Sequence, residues 1–233
     1  MATEYTETLD TILQDTLPQL PGAVRAVAER ELRLTMREFF ERSYAWRTTI
    51  EAVDAPAGDT AVWLQDANDG DANSDVIAIL QVRLDSDPGG QGNNRRVLAP
   101  IGLKPAMDRA NQNYPVGWRM TSNSDEFKLY PLLTAAIIGG LEVDVALMPK
   151  MDATVFPRQI TSKFYDAIVE GFLARMYLHP NKPYSAPAMG MSMRGNFKRR
   201  IGYYLAQAKT GYNNSQVWGF PGGWSPNRIG SHG

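Results

Sequence analysis

GAVRAVAERELRLTMREFFERSYAW, residues 22–46, is the stretch on which the fold turns. Val24, Val27/Ala28, Leu32, Thr35/Met36, Phe39/Phe40 and Ser43 recur at steps of three and four, which predicts a helix with one apolar stripe. Its other faces pair Glu29 with Arg33, Arg37 with Glu41 and Glu38 with Arg42 at i,i+4. Each such pair supports a solvated helix face by about 0.2–0.5 kcal/mol. The same charges could instead meet a neighbouring subunit, so Arg33, Arg37 and Glu41 are candidates for a subunit interface.

Outward from this helix the pattern changes on both sides. Upstream, Asp10 to Leu17 predicts a short helix stopped by Pro18 and Pro21. Downstream, from Thr48, the apolar residues alternate or run in short pieces: Ala61–Leu64, Val76–Leu84, Arg96–Ile101, Trp118–Thr121, Phe127–Tyr130 and Leu141–Leu147. Turn-forming clusters such as Asp85-Ser-Asp-Pro-Gly-Gly-Gln-Gly separate them, and Lys104 to Asn113 suggests a short helix between strands. Helical periodicity returns after Phe156-Pro157, with Pro in the first turn and Ile160, Phe164, Ala167/Ile168, Gly171/Phe172 and Met176 as the buried stripe. A last helix is expected from Pro187 to Lys209 through Met193, Phe197, Ile201, Tyr204/Leu205 and Ala208.

The expected fold is therefore α+β. N- and C-terminal helices form one helical bundle, interrupted by an antiparallel β-sandwich or barrel-like insertion. The segments are 1–46 (first helices), 47–150 (β-rich insertion), 151–211 (C-terminal helices) and 212–233 (an extended C-terminal arm).

Composition narrows the chemistry. With no cysteine there is no disulfide, thiolate metal site or cysteine nucleophile, and His179 and His232 alone are poor material for histidine catalysis. The acidic start MATEYTETLDTILQD is unlike a secretory signal, and no apolar run reaches membrane-spanning length. Asp69, Asp71, Asn73 and Asp75 alternate as in a calcium loop, but Ser74 and Leu80 stand where such a loop needs Gly and Glu. Gly89-Gly-Gln-Gly lacks the Lys-Ser/Thr of a phosphate cradle. Asp152, Asp166 and Glu170 are the conceivable acid–base carboxylates, yet Asp166 and Glu170 read as the outer side of a helix. No catalytic residue, cofactor or metal is assigned, and the chain is not read as an enzyme.

Charge is unevenly placed. Up to Ala99 there are 17 carboxylates against nine arginines and no lysine, whereas Asn181 to Gly233 has seven Lys or Arg, eight aromatics and no carboxylate. Met189, Met191 and Met193 at this segment's start suit either an adaptable contact surface or core gap-filling. Trp, Tyr, Phe and Arg are the residues enriched at interface hot spots, and Pro/Gly segments order on binding. Tyr212, Trp218, Phe220, Trp224 and Arg228 therefore read as a protein-binding arm, with Arg194, Lys198, Arg199 and Arg200 beside it or between subunits. Base stacking with phosphate contacts is the alternative, a single-stranded nucleic-acid binder using the same residues; an ordinary frayed terminus is the third reading.

The order of motifs resembles the head-to-tail connector, or adaptor, proteins of tailed bacteriophages. Leu17-Pro-Gln-Leu-Pro-Gly and the helix ending Phe39-Phe-Glu-Arg-Ser-Tyr-Ala-Trp-Arg are similar to that family's start. Phe127-Lys-Leu-Tyr-Pro and Leu141-Glu-Val-Asp-Val-Ala-Leu-Met-Pro resemble its paired strands, each closing on proline. Tyr165-Asp-Ala-Ile-Val-Glu-Gly-Phe-Leu-Ala-Arg-Met and Pro180-Asn-Lys-Pro-Tyr-Ser-Ala-Pro resemble its later helix and loop. Leu132-Leu-Thr-Ala departs from the pattern where a second proline is common, and Gly190, Gly195 and Gly202 suggest a kinked or later-starting last helix.

The resemblance implies a virion protein at the head–tail junction, present in the host cytoplasm during assembly. It implies a homo-oligomeric ring of about twelve copies around the DNA channel. The portal protein would lie above and a tail tube or nozzle protein below, with double-stranded DNA passing through without sequence-specific contact and no membrane involved. For the Asp69–Asp75 loop, the failed motif predicts that millimolar calcium leaves the thermal unfolding midpoint unchanged; an upward shift that grows with calcium would restore a metal site.

Overall fold

The computed structural model describes residues 6–64, 73–85, 95–101 and 115–209. The chain is mixed α+β. Among the described residues it has four α-helices, and seven of its strands form one nearly closed, barrel-like sheet. Strand β1 (Thr6–Thr8) leads into α1 (Leu9–Thr16), a 3-10 turn at Leu17–Gln19 and α2 (Arg25–Ser43). The sheet uses β2 (Arg47–Ala55), β3 (Val62–Trp63), β4 (Ser74–Asp85), β5 (Arg95–Pro100), β6 (Gly117–Met120), β7 (Glu126–Tyr130) and β8 (Ile137–Pro149). Strand β9 (Val155–Pro157) pairs with β1, and α3 (Arg158–Tyr177) and α4 (Pro187–Lys209) follow.

The sheet order, β2-β8-β4-β5-β6-β7-β3, puts two consecutive strands at opposite edges. Laid flat, seven strands would separate those edges by about 29 Å. The seven residue steps from Ala55 to Val62 reach about 25 Å at most. The sheet must therefore curl, and the Gly58–Leu133 bridge lies inside this short link. The pairs are antiparallel except β5–β6, which is parallel, so the expectation of a wholly antiparallel insertion is corrected. The alternation read in β8 is present: Leu141, Val143, Val145 and Leu147 are all buried.

The helices meet in an aromatic cluster. Phe39 of α2 lies 5.4 Å from Phe164 of α3 and 6.2 and 5.6 Å from Phe197 and Tyr204 of α4, ring centre to ring centre. Phe40, beside it, packs edge-on against Phe164 of α3 at 5.8 Å and against Trp46, the last residue before the sheet, at 5.6 Å. That exit is tight because Tyr44 takes a left-handed conformation (φ 49°), ending α2 and letting β2 begin three residues later. Arg37 fastens the joint from the helix side, donating to the Pro149 carbonyl at 2.6 Å and to Asp75 at 3.4 Å.

Several expectations shift. Periodicity puts Val24 and Val27 in the buried stripe of α2, but both are exposed; full burial begins at Ala28. Pro157 ends β9 and caps α3 instead of opening its first turn. Strands β1, β2 and β9 carry no strong alternation of their own and were not separately expected. Helix α4 is continuous from Pro187 past Gly190, Gly195 and Gly202, so it does not start late. The proposed helix at Lys104–Asn113, the Gly89-Gly-Gln-Gly loop and the arm after residue 211 lie outside the described residues.

The glycines of the helical layer differ in purpose. A Cβ at Gly171 would sit 2.6 Å from Phe197 Cε2 and 2.7 Å from Thr35 Cγ2, whereas one at Gly195 would meet nothing within 4 Å. Gly171→Ala should therefore destabilise the protein by about 1–3 kcal/mol through overpacking. Gly195→Ala should stabilise it by about 0.5–1 kcal/mol by removing an exposed mid-helix glycine. Denaturant unfolding of the two variants beside the parent checks both signs.

Candidate functional site

Helix α4 is the described part of the basic segment. Proline at its first position starts it, and Phe197, Ile201 and Ala208 bury one face against α2 and α3. The remaining faces hold Arg194, Lys198, Arg199, Arg200, Lys209 and no carboxylate. Arg194 and Lys198 are exposed and have no ion pair among the described residues. Arg199 is exposed too, and bonds the Asn196 amide oxygen one turn earlier.

Arg200 is different. It turns toward α3 and donates from Nε to Glu170 at 2.6 Å. That hydrogen bond, partly opposed by burial, holds its guanidinium above the ordinary value. Glu170, Asn196, Arg199, Arg200, Tyr203 and Tyr204 line a shallow cleft of about 420 Å³. Burial raises the Tyr204 phenol, while Tyr203 stays exposed at its rim. Chemically this is a hydrogen-bonding, cation-rich surface. Of the three carboxylates the sequence offers for acid–base work, Glu170 is occupied by Arg200, while Asp152 and Asp166 are both exposed.

The proposed subunit-interface residues on α2 fall elsewhere. Arg33 donates to the Ala153 carbonyl at 3.2 Å and lies 4.0 Å from Glu29. Arg37 is turned onto the sheet as described, so the expected Arg37–Glu41 pair is replaced, and Glu41 is left exposed. Glu38 pairs with Arg42 at 3.2 Å as expected, and with Arg175 of α3 at 2.6 Å. Arg175 also reaches Glu31 at 3.5 Å, tying two turns of α2 to α3. Asp75, at the end of the calcium-like loop, lies 3.4 Å from Arg37, while Asp69 and Asp71 lie outside the described residues. The arm residues Tyr212, Trp218, Phe220, Trp224 and Arg228 lie outside the described residues.

Sequence reading missed a second concavity. Among the described residues β6 pairs with β5 only at Gly117 and Trp118, and Pro100, Ile101, Trp118, Arg119, Lys128 and Tyr130 help line a cleft of about 750 Å³. Arg119 faces Lys128 directly across the β6–β7 pair; Lys128 is tied to Asp59 at 2.9 Å. The Trp118 indole nitrogen is buried with no hydrogen-bond partner among the described residues. The alternation in Phe127-Lys-Leu-Tyr places Lys128 outward, but the pairing that sets Arg119 opposite it cannot be read from spacing.

No family model matches this chain, and no curated protein matches its sequence.

One titration can be followed at the edge of the helical layer. The Tyr165 phenol donates to Asp15 at 2.5 Å, and burial with this bond pushes it up to about 12 from an ordinary 10.0. The folded state thus holds the proton longer than the unfolded chain. Its stabilisation is full below pH 10 and is lost as pH rises through about 12. Tyr165→Phe should flatten the decline in unfolding free energy over that window, leaving the share of other groups raised there, such as Tyr204 and Lys128; chemical denaturation at stepped pH measures it.

Proposed function

We propose that this chain is a structural virion protein, a head-to-tail adaptor that forms a ring beneath the portal of a tailed-phage particle. In this reading the helices from the two ends of the chain are one bundle that builds the ring, and the sheet inserted between them faces tail or neighbouring subunits. The observation that carries the reading is the carboxylate-free α4, with Arg194 and Lys198 exposed and without an ion pair among the described residues, followed in sequence by a Gly-rich segment that holds Tyr212, Trp218, Phe220, Trp224 and Arg228. A cationic aromatic arm on an otherwise acidic body is suited to seize a protein partner. The acidic body, with its 17 carboxylates before residue 100, would let DNA pass without gripping it. The work is mechanical: extending the channel, retaining the genome and presenting the platform for the tail.

The arm would lose conformational freedom only when it docks, so ring formation would be coupled to portal binding. Tyr212, Trp218, Phe220, Trp224 and Arg228 are the proposed anchors, with Arg194, Lys198, Arg199 and Arg200 at the portal or between subunits, and Arg33, Arg37 and Glu41 between subunits. The test is co-sedimentation and cryo-EM with portal from the same source, comparing the full chain with one ending at Tyr212. Only the full chain should decorate the portal as a closed ring. Equal binding by the shortened chain removes the arm's role. If neither binds, the adaptor reading falls, and binding of single-stranded DNA that weakens steeply with salt and with Trp218→Ala would favour the nucleic-acid alternative.

A further inference from the structure

Strands β6 and β7 place two cations where pairing rules disfavour them. Arg119 and Lys128 are directly opposite in the antiparallel register, so both side chains leave the sheet on the same face. That face lies opposite the one on which Trp118, Phe127 and Leu129 are buried. Like charges placed in this way repel each other. Gly117 and Tyr130 are the next pair on the same face, two residues along each strand. Gly117 has no side chain, and Ile101 occupies the space this leaves: a Cβ on Gly117 would fall 2.6 Å from Ile101 Cδ1. The Ile101 amide donates to the Trp118 carbonyl at 2.8 Å, which pins that residue beside β6. Arg119 and Lys128 thus line one cleft of about 750 Å³ together with Ile101, Pro100, Met120 and Tyr130.

Nearby carboxylates do not account for both cations. Lys128 is bound by Asp59 at 2.9 Å. Glu126, two residues before Lys128 on β7, accepts from the Thr121 hydroxyl at 3.0 Å and from the Asn123 amide at 2.9 Å. Arg119 is exposed and has no ion pair among the described residues. Its guanidinium therefore keeps the planar fork of donors that meets a carboxylate through two parallel hydrogen bonds. With Lys128 shared by Asp59, the cleft retains one uncompensated positive charge, which a monoanion balances. A concave site of roughly 300–1,000 Å³, with apolar side chains and a few polar groups that fix orientation, is the general form of a small-molecule site.

We propose that this cleft binds a small amphipathic monocarboxylate, an aryl- or branched alkyl-carboxylic acid. The carboxylate would take the Arg119 fork with Lys128 alongside, and the apolar body would lie against Ile101 and Pro100. The bound anion would also relieve the repulsion between the two cations. The cleft is built from the sheet, without α4 or the arm, so the inference stands whether or not the adaptor reading does.

The probe is 3-phenylpropionate, titrated into the full-length protein and followed by ligand-observed saturation-transfer NMR, with neutral 3-phenylpropionamide beside it. The acid should bind saturably with a Kd of about 1 mM or tighter, and the amide about tenfold more weakly or worse. Arg119→Gln should weaken the acid about tenfold or more and leave the amide unchanged. Arg119→Lys keeps the charge without the fork and should fall between. Arg119 is exposed, so the thermal midpoints of both variants should stay at the parent value. Arg30→Gln removes an equally exposed charge from α2 and should leave binding unchanged. Equal binding of acid and amide, no saturation below about 10 mM, indifference to Arg119→Gln, or an equal loss in Arg30→Gln would each overturn the proposal.

Discussion

Phe39 is the residue through which the helical layer coheres. Its ring touches one from its own helix, one from α3 and two from α4, so a single α2 position binds the first third of the chain to the last. Aromatic pairs of this kind contribute about 0.5–1.5 kcal/mol each beyond the area they bury. The close approach that makes them possible is set by Gly171, where α3 offers no side chain to hold α2 and α4 apart. The polar ties around this centre, Arg175 to Glu31 and Glu38, and Arg200 to Glu170, lie at the periphery of the same crossings.

The sheet is governed by a different constraint, the short connection between its two edges. Because Ala55 and Val62 must both be reached by one brief link, curvature follows from connectivity and not from any special residue. Helix α2 then couples the two halves. Its Phe40 bridges Trp46 and Phe164, its Arg37 holds the Pro149 carbonyl, and its Phe39 meets α3 and α4. A partner pulling on the helical layer would therefore load the sheet through α2.

Much of this was legible in the residues. The stripes of α2, α3 and α4 are long and regular, and proline marks the start of α4 at the residue where the structure begins it. Leu141 to Leu147 alternates cleanly because one face of β8 is fully buried. What could not be read was set by distant contacts. Arg37 satisfies the i,i+4 rule with Glu41, yet a carbonyl 112 residues away offers a shorter, better-shielded partner. Strands β1 and β9 are three residues each and are defined only by each other. The parallel β5–β6 pair depends on chain crossing, to which local periodicity is blind. For the candidate site, the basic character of α4 was visible, but which arginine remains free was decided by the position of Glu170 on α3.

The aromatic cluster also has a consequence for biogenesis. Phe39 and Phe40 emerge from the ribosome long before Phe164, Phe197 and Tyr204, which complete their surroundings. At typical elongation rates the 164 residues between Phe40 and Tyr204 take roughly 8–33 s to synthesise. Until α3 is made the α2 stripe lacks both of the helices that Phe39 meets, and until α4 follows it is only partly covered, although the sheet can already assemble beside it. The nascent chain therefore carries an open apolar face for most of its synthesis, and this face closes only when the last helix arrives.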